Sequence, residues 1–496
     1  MHTRSKRLKT IHVMRNHNCN YFKRLVLMAV FAVMAMAGHA QLLRTSYFME
    51  GAHYRLQLNP ALAPPRGYIN LPGVGNASAA FHSNAIEFND VLDVMKNAKS
   101  ANYFVADEFM NKLKDMNKAS AQAATDIIST GWWHGLDFWS VNLSVKVNGS
   151  GKVPKEMFNY LRDMKGLNNN DYTDYVRYIG DEEVNLNAYT ELGVGYSHQF
   201  NDRLSVGGRF KGLLGLGNAR LKVREGVARI NMTGVPPDLD WSTVNPFDML
   251  HVRGTVDIDV VADLETSFEG LELLYNDKDY IDDIKFDIGK SGVSGVGAAF
   301  DVGVSYRATD ALTLSASIID LGFIRWAKGC SQVAHSNTQD LHFDTHSPYN
   351  YRIFKDIIGA GDVFNPDLLR LTIDEGGAKA RTTAIGATVV AGAEYALTGD
   401  KVRLGALYTH HNTACDGLDE VTLSVNMRPS SIVDVAVSYS PLLCGGKSAG
   451  LAFKVGPLFV GTDYIYTGKK SRCFNALAGI SIPLGGKQPS EKEESQ

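Results

Sequence analysis

The sequence has few cysteines and, after its first forty residues, no long apolar run. Its five cysteines contain no Cys-x-x-Cys pair, which excludes the usual spacing of a structural zinc site. Four of them follow residue 40, and sequence alone leaves all three disulfide connectivities open. No later stretch approaches the roughly 18 apolar residues of a membrane-spanning helix. A bilayer-inserted form must therefore be a closed β-barrel, because only helices and closed barrels satisfy every backbone hydrogen bond in lipid.

The sequence also has no excess of basic over acidic residues. The chain carries 50 basic and 53 acidic residues. Seven of the basic residues lie before residue 40, so the remainder has 43 basic residues against the same 53 acidic ones. Recognition of phosphate backbones needs a positive face. The balance therefore predicts no nucleic-acid partner.

The first forty residues have the pattern of an export signal. Basic residues precede an apolar run from Leu25 to Ala37, and Gly38-His39-Ala40 supplies the small residues that a signal peptidase reads. The apolar run is too short for a spanning helix, which needs about 20 residues. We therefore predict a cleaved signal peptide over residues 1–40 and export to the cell outer membrane. An uncleaved membrane anchor is the alternative.

Strict alternation of apolar with small or polar residues dominates the rest of the chain. In residues 294–307, Val, Ala, Phe and Tyr occupy one face, while Gly, Ser, Asp and Arg occupy the other. Residues 420–428 and 433–440 repeat this pattern on either side of a short turn, which indicates a hairpin. Further candidate strands lie near 74–81, 136–147, 186–200, 203–217, 219–230, 251–262, 311–320, 382–397, 401–411, 449–455, 457–466 and 473–484. Because closed bacterial barrels usually have an even number of strands, these fifteen candidates favour fourteen.

Length and composition distinguish a membrane barrel from a secreted β-sandwich. The candidate strands are longer than the usual 5–6 residues of soluble strands. Their non-apolar faces include Glu191, Arg209, Lys211, Glu394 and Asp463, as a wet lumen would. Tyrosines near strand ends fit an aromatic girdle at the lipid headgroups; they are Tyr196, Tyr306, Tyr395, Tyr408, Tyr439, Tyr464 and Tyr466. We predict an all-β fold, an antiparallel transmembrane β-barrel of about 14 strands.

Some segments break the strand rhythm. Residues 84–130 and 154–180 show helical spacing of apolar residues and predict helical insertions. Residues 234–250, 270–290 and 321–380 are rich in Asp, Asn, Gly and Pro and predict long loops. The charged tail, residues 485–496, is predicted to be disordered.

Three patches resemble a known type of barrel. Leu58-Asn59-Pro60-Ala61-Leu62 resembles the Asn-Pro-Ala motif of long-chain fatty acid transporters and of the Bacteroidetes barrels that serve type IX secretion. Residues 295–306 look like the recurrent glycine-rich strand of these proteins. Asp320-Leu321-Gly322-Phe323-Ile324-Arg325-Trp326 is similar to an uncharacterised Bacteroidetes family of the same barrel type.

The resemblance implies an N-terminal plug over residues 41–73, carrying Asn59, Pro60 and Ala61, inside a barrel over residues 74–484. It also implies a plug, an apolar pocket and a lateral gap that serve passive transport or binding of hydrophobic or amphipathic small molecules. The alternative is a structural or secretion-associated barrel that binds a surface or secretion-machinery protein. Outer-membrane lipid is the common partner in both cases.

No sequence pattern indicates a catalytic, phosphate-binding or metal-binding site. Gly212-x-x-Gly215-x-Gly217 lies within a strand rather than at a strand-to-helix turn, so it predicts a kink or a close contact with the plug and not a phosphate loop. His342-x-Asp344-x-His346 has ligand-type residues, but polar loops commonly collect them. We expect no enzyme activity, no cofactor, and no catalytic or metal-binding residues.

The barrel prediction has a direct test by cell fractionation. The processed chain should sediment with the outer membrane and need detergent for extraction, because its apolar outer face requires lipid. Recovery of the processed chain as a soluble protein from the periplasm or medium would favour the β-sandwich instead.

Overall fold

The computed structural model describes the chain from residue 43 to residue 485 with several gaps. The described residues are 43–72, 75–87, 90, 93, 101–165, 172–234, 251–276, 279–338, 341–344, 369–398, 401–412, 417–430, 432–443, 446–464 and 472–485. The predicted signal peptide, the tail beyond residue 485, nearly all of the predicted loop 234–250, part of the predicted loop 321–380, and Cys415 and Cys444 lie outside them.

The described residues form a closed antiparallel β-barrel of 14 strands, as the alternation predicted. The strands, in chain order, are β1 Gly67–Asn70, β2 Ala77–Ser83, β3 Met116–His134, β4 Asp137–Pro154, β5 Tyr172–Tyr178, β6 Glu183–Gln199, β7 Leu204–Thr233, β8 Arg253–Phe268, β9 Leu271–Tyr275, β10 Ile281–Phe286, β11 Gly295–Arg307, β12 Leu312–Trp326, β13 Ser331–Ser336, β14 His342–Asp344, β15 Leu371–Ile373, β16 Arg381–Ala384, β17 Thr388–Thr398, β18 Val402–Asn412, β19 Gly417–Met427, β20 Val433–Leu443, β21 Gly446–Val455, β22 Leu458–Thr462 and β23 Cys473–Leu484.

The ring closes between its two ends. β1 and β2 together form one wall position and pair with both β3 and β23. Proceeding from there, the wall runs through β3, β4, β6, β7, β11, β12, β16 with β17, β18, β19, β20, β21, β22 and β23. Because the ring is complete, each described wall strand pairs with a neighbouring strand on both sides.

Three short helices accompany the described strands: α1 Ala101–Val105, α2 Asp107–Met110 and α3 Lys155–Lys165. Single 3-10 turns lie at Arg44–Ser46, His53–Gln57, Ile288–Lys290 and Lys328–Cys330. Among the helices that the structure describes, none has the length and apolar character to cross a bilayer.

The wall turns apolar residues outward and polar residues inward. In β19, Leu423 and Val425 are exposed, while Thr422, Ser424 and Asn426 are buried. Five of the tyrosines assigned to a headgroup girdle, Tyr196, Tyr306, Tyr395, Tyr408 and Tyr439, are exposed as expected. Tyr464 is instead buried in the interior, and Tyr466 lies outside the described residues. The exposed apolar band matches the lipid-facing surface of a membrane barrel.

Several predicted boundaries were wrong. Residues 116–134 form β3, although the Ala-rich stretch within 84–130 has helical spacing. Pairing with β4 along its whole length overrides that local preference. Among the described residues before β3, Asp90, Asp93, α1 and α2 are helical. In the second predicted helical insertion, 154–180, the helix ends at Lys165 and β5 follows. β1 begins at Gly67, inside the segment 41–73 assigned to the plug.

The predicted strand list also changes. Candidates 203–217 and 219–230 are one strand, β7, and candidate 251–262 is β8, which lies outside the ring. The predicted loop 321–380 begins within β12 and contains β13, β14 and β15. Segment 270–290 holds the β9–β10 hairpin. Candidates 219–230 and 251–262 are therefore not separate wall strands, whereas β3 is a wall strand that the prediction missed. These changes reduce the fifteen candidates to fourteen wall strands.

A second sheet continues from the far half of β7. β8 pairs with β7 from Gly217 onward, and β5, β13, β14 and β15 extend this outlying sheet. Its buried apolar side chains, with Tyr160 of α3, form a core separate from the barrel interior. The glycine cluster of β7 lies where the neighbour changes, since Gly215 pairs with β11 whereas Gly217 pairs with β8. An added Cβ on Gly215 would overlap Trp326 of β12 and one on Gly217 would overlap Phe268 of β8, so these two glycines fit side chains of neighbouring strands and not the N-terminal segment.

The N-terminal residues 43–66, here called the inner segment, fold into the barrel. Leu43 and Tyr54 pack against Ala436, Ala452 and other inward-facing wall residues. Tyr47, Phe48, Leu58 and Leu62 pack against a second inward group on β12, β17 and β18. The interior is therefore filled by the chain's own N-terminal residues.

Glycines in the wall make room for this filling. Gly207 of β7 and Gly303 of β11 lie directly opposite each other in the ladder. A Cβ on Gly207 would come within 2.4 Å of the Pro60 backbone, and one on Gly303 would overlap the Asn59 side chain. The Asn59-Pro60 step thus rests on a paired-glycine platform that any larger residue would fill.

The platform predicts the effect of one added methyl group. Gly207→Ala should lower the free energy of unfolding by about 1–3 kcal/mol, because the Pro60 backbone has to move away from the wall. Gly212→Ala on the same strand is the matched control, since its Cβ would meet its first neighbour only at 3.9 Å. Thermal unfolding in detergent compares the two; equal melting temperatures would contradict the platform.

Candidate functional site

A cavity of about 100 Å³ lies between the inner segment and the wall. It is bounded by Leu58 and Arg44 of the inner segment and by inward side chains of β3, β4, β6, β7 and β12. Its lining residues are Arg44, Gln57, Leu58, Asn76, Ser78, Gln122, Ala123, Ala124, Asp126, Asn142, Ser144, Lys146, Asn148, Tyr189, Glu191, Arg209, Lys211, Asp320, Ile385, Gly386, Thr388, Thr409, His411 and Glu420. Most of these lining residues are polar or charged, so the cavity differs from the apolar pocket that the resemblance implied.

A network of six charged side chains forms one side of the cavity. The Lys211 Nζ lies 2.8 Å from Asp301 Oδ2 and 2.5 Å from Asp320 Oδ1. The Lys146 Nζ lies 2.6 Å from Glu191 Oε2 and 3.7 Å from Asp320 Oδ1. Five different strands, β4, β6, β7, β11 and β12, contribute to this network, so only the closed wall brings its members together.

Arg209 links that network to the inner segment. Its guanidinium lies 3.8 Å from Asp301 Oδ2 and donates a hydrogen bond of 3.2 Å to the Leu56 carbonyl. The Ser317 hydroxyl donates to the Leu58 carbonyl at 2.5 Å. These bonds satisfy backbone carbonyls that the inner segment would otherwise bury without a partner.

On another side, Arg44 joins the inner segment to the wall. Its guanidinium pairs with Glu420 and lies 3.4 Å from Asp463, and both carboxylates are almost completely buried. The Thr45 backbone N–H donates to Asp463 Oδ1 at 2.8 Å, and Asn475 donates to Oδ2 at 2.7 Å. Removing one partner of such a buried pair typically costs about 3–5 kcal/mol, because the other charge is left unpaired.

A third attachment involves Glu50. Its carboxylate lies 2.6 Å from Arg403 and 2.9 Å from Arg428. Burial by itself raises the pKa of the Glu50 carboxyl, but Arg403 and Arg55 outweigh it and hold the pKa below its ordinary value. Arg44 and Glu50 of the inner segment and Arg209 of the wall thus bind the inner segment to the wall at three separate places.

His53 of the inner segment has the opposite environment. Its ring stacks on Tyr68 with centroids 4.0 Å apart, and burial, with Lys454 nearby, lowers the pKa of its imidazole to about 3. The imidazole is therefore neutral at ordinary pH and contributes to the apolar filling of the barrel rather than to the charge network.

Asn59, Pro60 and Ala61, the predicted motif residues of the inner segment, make contacts that hold this segment in place. The fully buried Asn59 amide donates to the Tyr47 hydroxyl at 3.1 Å and to the Val304 and Ala316 carbonyls at 3.3 Å each. Its Oδ1 accepts the Ala61 N–H at 2.9 Å, which closes a local turn around Pro60. Asn59 therefore fixes both the turn and its attachment to β11 and β12.

The second predicted motif divides between the two faces of the wall. Asp320 points inward to Lys211, whereas Leu321 and Phe323 are exposed on the outer face. Gly322 packs closely against Ala299, and the fully buried Trp326 donates from its indole to Thr383 at 2.8 Å. Asp320 has a left-handed backbone with φ of 57°, which is unusual for a residue other than glycine.

The left-handed residue Asp320 lies where the pairing of β12 with β16 and β17 is interrupted. Ile319 pairs with Thr388 of β17, and Phe323 pairs with Ala384 of β16. Between these pairs, the described residues 320–322 and 385–387 face each other outside the ladder, over roughly 13 Å at the usual rise per residue. The Ile385 N–H reaches the Gly322 carbonyl at 3.3 Å across this interval. We call it the ladder gap; Asp320, Ile385, Gly386 and Thr388 beside it also line the cavity.

Sequence reasoning found part of this site. Glu191, Arg209, Lys211, Glu394 and Asp463 were expected on the inner face, and all five are buried there. Lys146 was missed, although it occupies an inward position of an alternating strand. Asp126 was missed because its segment was read as helical. The ladder gap had no sequence signal apart from the family motif that begins at Asp320.

Two of the three candidate metal-binding residues, His342 and Asp344, lie in the described part of the chain. His342 lies between Asp257 and Asp259, with one ring nitrogen 3.1 Å from each carboxylate, and His346 lies outside the described residues. Within the part of the chain that the structure describes, no group of three or more His, Cys, Asp and Glu side chains is arranged to hold a metal ion.

Comparison with solved structures gives several weak similarities. The Ralstonia pickettii toluene transporter TbuX has 7% identity and a TM-score of 0.38, with 88% of this chain and 95% of that chain covered. The P. putida toluene transporter TodX has 9% identity and a TM-score of 0.36, covering 88% and 95%. A Pseudomonas aeruginosa FadL homologue has 10% identity and a TM-score of 0.34, covering 90% and 96%.

Comparison by sequence gives a family but no function. No curated protein matches the chain. One family model, described as "Family of unknown function (DUF5723)", matches residues 60–463. The match begins at Pro60, within the Asn-Pro-Ala motif, and includes all of β12. Because it covers well over half of the sequence, the chain belongs to the DUF5723 family.

Proposed function

We propose that the protein is an outer-membrane barrel that binds small amphipathic molecules and passes them between its interior and the surrounding lipid, without catalysing a reaction. The observation that carries this proposal is the position of the ladder gap. It joins the charged cavity on the inside to an apolar patch on the outside. The export signal and the exposed apolar band support the outer-membrane location.

The outer side of the ladder gap suits an apolar chain. Leu321, Phe323, Val389 and Phe300 are all exposed there. The three-residue interval between ladder pairs replaces regular hydrogen bonding with a longer bond between Ile385 and Gly322. A wall region held by fewer ladder bonds opens at lower free energy than a fully paired one.

The inner side suits a polar group. The cavity contains four cationic and four carboxylate side chains, together with the apolar Leu58, Ala123 and Ile385. A volume of about 100 Å³ accommodates a headgroup rather than a whole amphiphile. The tail of a bound molecule then has to leave the cavity, and the ladder gap is the adjacent place where apolar surface lies on the other side of the wall.

A partner-binding role is the second candidate. The outlying sheet formed by β5, the far half of β7, β8, β13, β14 and β15 has its own core beyond the ring. Its exposed face carries charged pairs such as Arg229–Asp259 at 2.8 Å. A surface of this kind is available to a protein partner without involving the lumen, and this function stays a prediction.

Blocking the ladder gap tests the first proposal. Ile385→Trp adds bulk where the cavity meets the gap and should slow uptake of radiolabelled decyl sulfobetaine by on the order of tenfold in bacteria that otherwise lack this uptake. Leu404→Trp adds the same volume to an exposed, lipid-facing position of β18 and serves as the control.

Heat-modifiable electrophoretic mobility should show equal amounts of folded barrel for both variants. Normal decyl sulfobetaine uptake by folded Ile385→Trp would overturn passage through the gap. Wild-type uptake no greater than that of cells without the protein would overturn the transport role as a whole.

A further inference from the structure

We infer that the cavity is a binding site for a zwitterionic headgroup, held between Lys146 and Asp320. The inference rests on the proposed function, because it names the class of amphiphile that the cavity accepts. It comes from the unequal exposure of the six charged side chains in the network.

Four members of the network are closed to an entering molecule. The exposed fractions of the side chains are 0% for Asp301, 1% for Glu191, 2% for Lys211 and 7% for Arg209. Lys146 and Asp320 differ from them, with 22% and 20% exposed. Arg44, Asp126 and Glu420, the other charged residues of the lining, are only 4%, 4% and 1% exposed. Lys146 and Asp320 are therefore the cation and the carboxylate that the cavity mainly presents to a ligand.

These two groups are close but not tightly paired. Their Nζ and Oδ1 atoms lie 3.7 Å apart, whereas each has a nearer partner deeper in the wall, Glu191 at 2.6 Å for Lys146 and Lys211 at 2.5 Å for Asp320. A ligand in the cavity can thus pair with Lys146 and with Asp320 without breaking the shorter pairs. Those inner pairs keep both side chains in position before the ligand arrives.

Charge balance then selects the ligand class. A headgroup with a single charge would pair with one of the two residues and would bring an uncompensated charge into a low-dielectric interior. A headgroup with adjacent positive and negative groups pairs with both and leaves the network neutral. A neutral headgroup gains neither pair and has to replace the water around both charges.

A series of amphiphiles with the same ten-carbon tail tests this inference. Binding of decyl sulfobetaine, decyl sulfate, decyltrimethylammonium and decyl maltoside is measured by equilibrium titration against the full chain in lipid nanodiscs. The sulfobetaine should bind at least about tenfold more tightly than each of the others. Equal or tighter binding of decyl sulfate or decyl maltoside would overturn the inference.

Two substitutions make the charge assignment specific. Lys146→Met leaves Asp320 as the exposed charge and should shift the preference to decyltrimethylammonium. Asp320→Asn keeps the shape and tolerates the left-handed backbone, but should shift the preference to decyl sulfate. Asp434→Asn removes a buried carboxylate elsewhere in the lumen, next to Arg428, and should leave the ranking unchanged.

Opposite shifts in the two variants would not arise from a general loss of structure. If one variant is poorly folded, the shift in the other variant still tests the site. An unchanged ranking in a folded variant would contradict the site. Because binding is measured without uptake, failure of decyl sulfobetaine transport would leave this result standing, and failure of headgroup selection would leave the transport test standing.

Discussion

The structure depends on neutralising charge inside a barrel that the chain itself fills. The wall turns Glu191, Lys211, Asp301, Glu420 and Asp463 inward, where they are buried. Unpaired charges in such an interior would be strongly destabilising. The inner segment supplies Arg44 and Glu50 as opposite charges, and wall strands supply the rest to one another. Charge pairing therefore determines how the inner segment lies and where a cavity remains.

Close backbone contact is the second constraint on the inner segment. At the Gly207–Gly303 platform the wall has no side chains, so Pro60 and Asn59 approach it directly and Asn59 binds two wall carbonyls. Charge pairs alone would tolerate small shifts, because long side chains can adjust. The glycine platform does not, since Gly207 lies directly against the Pro60 backbone and Gly303 against the buried Asn59 amide. Together they give the inner segment a single docked position.

The ladder gap shows how a local strain and the charge network combine. Asp320 adopts a left-handed backbone that interrupts pairing with β16 and β17, and its carboxylate is held by Lys211 while its N–H binds Asp301 Oδ1 at 2.8 Å. The residue that breaks the wall is thus the residue that meets the cavity. Strain of this kind persists where surrounding contacts over-determine it, and it is commonly found at functional sites.

The sequence by itself determined the barrel and the inward position of most charged residues, because the two-residue period of a strand assigns each side chain to lipid or lumen without further information. The expectation of fourteen strands came from the even-number rule and not from the fifteen candidates themselves. The sequence did not determine the helix-like β3 segment, the departure of β7 into the outlying sheet, or the exposure of Lys146 and Asp320. Those features arise from which strands become neighbours. Pairing between distant segments overrides local propensity, and only the closed ring with its inner segment in place decides which charges face the cavity.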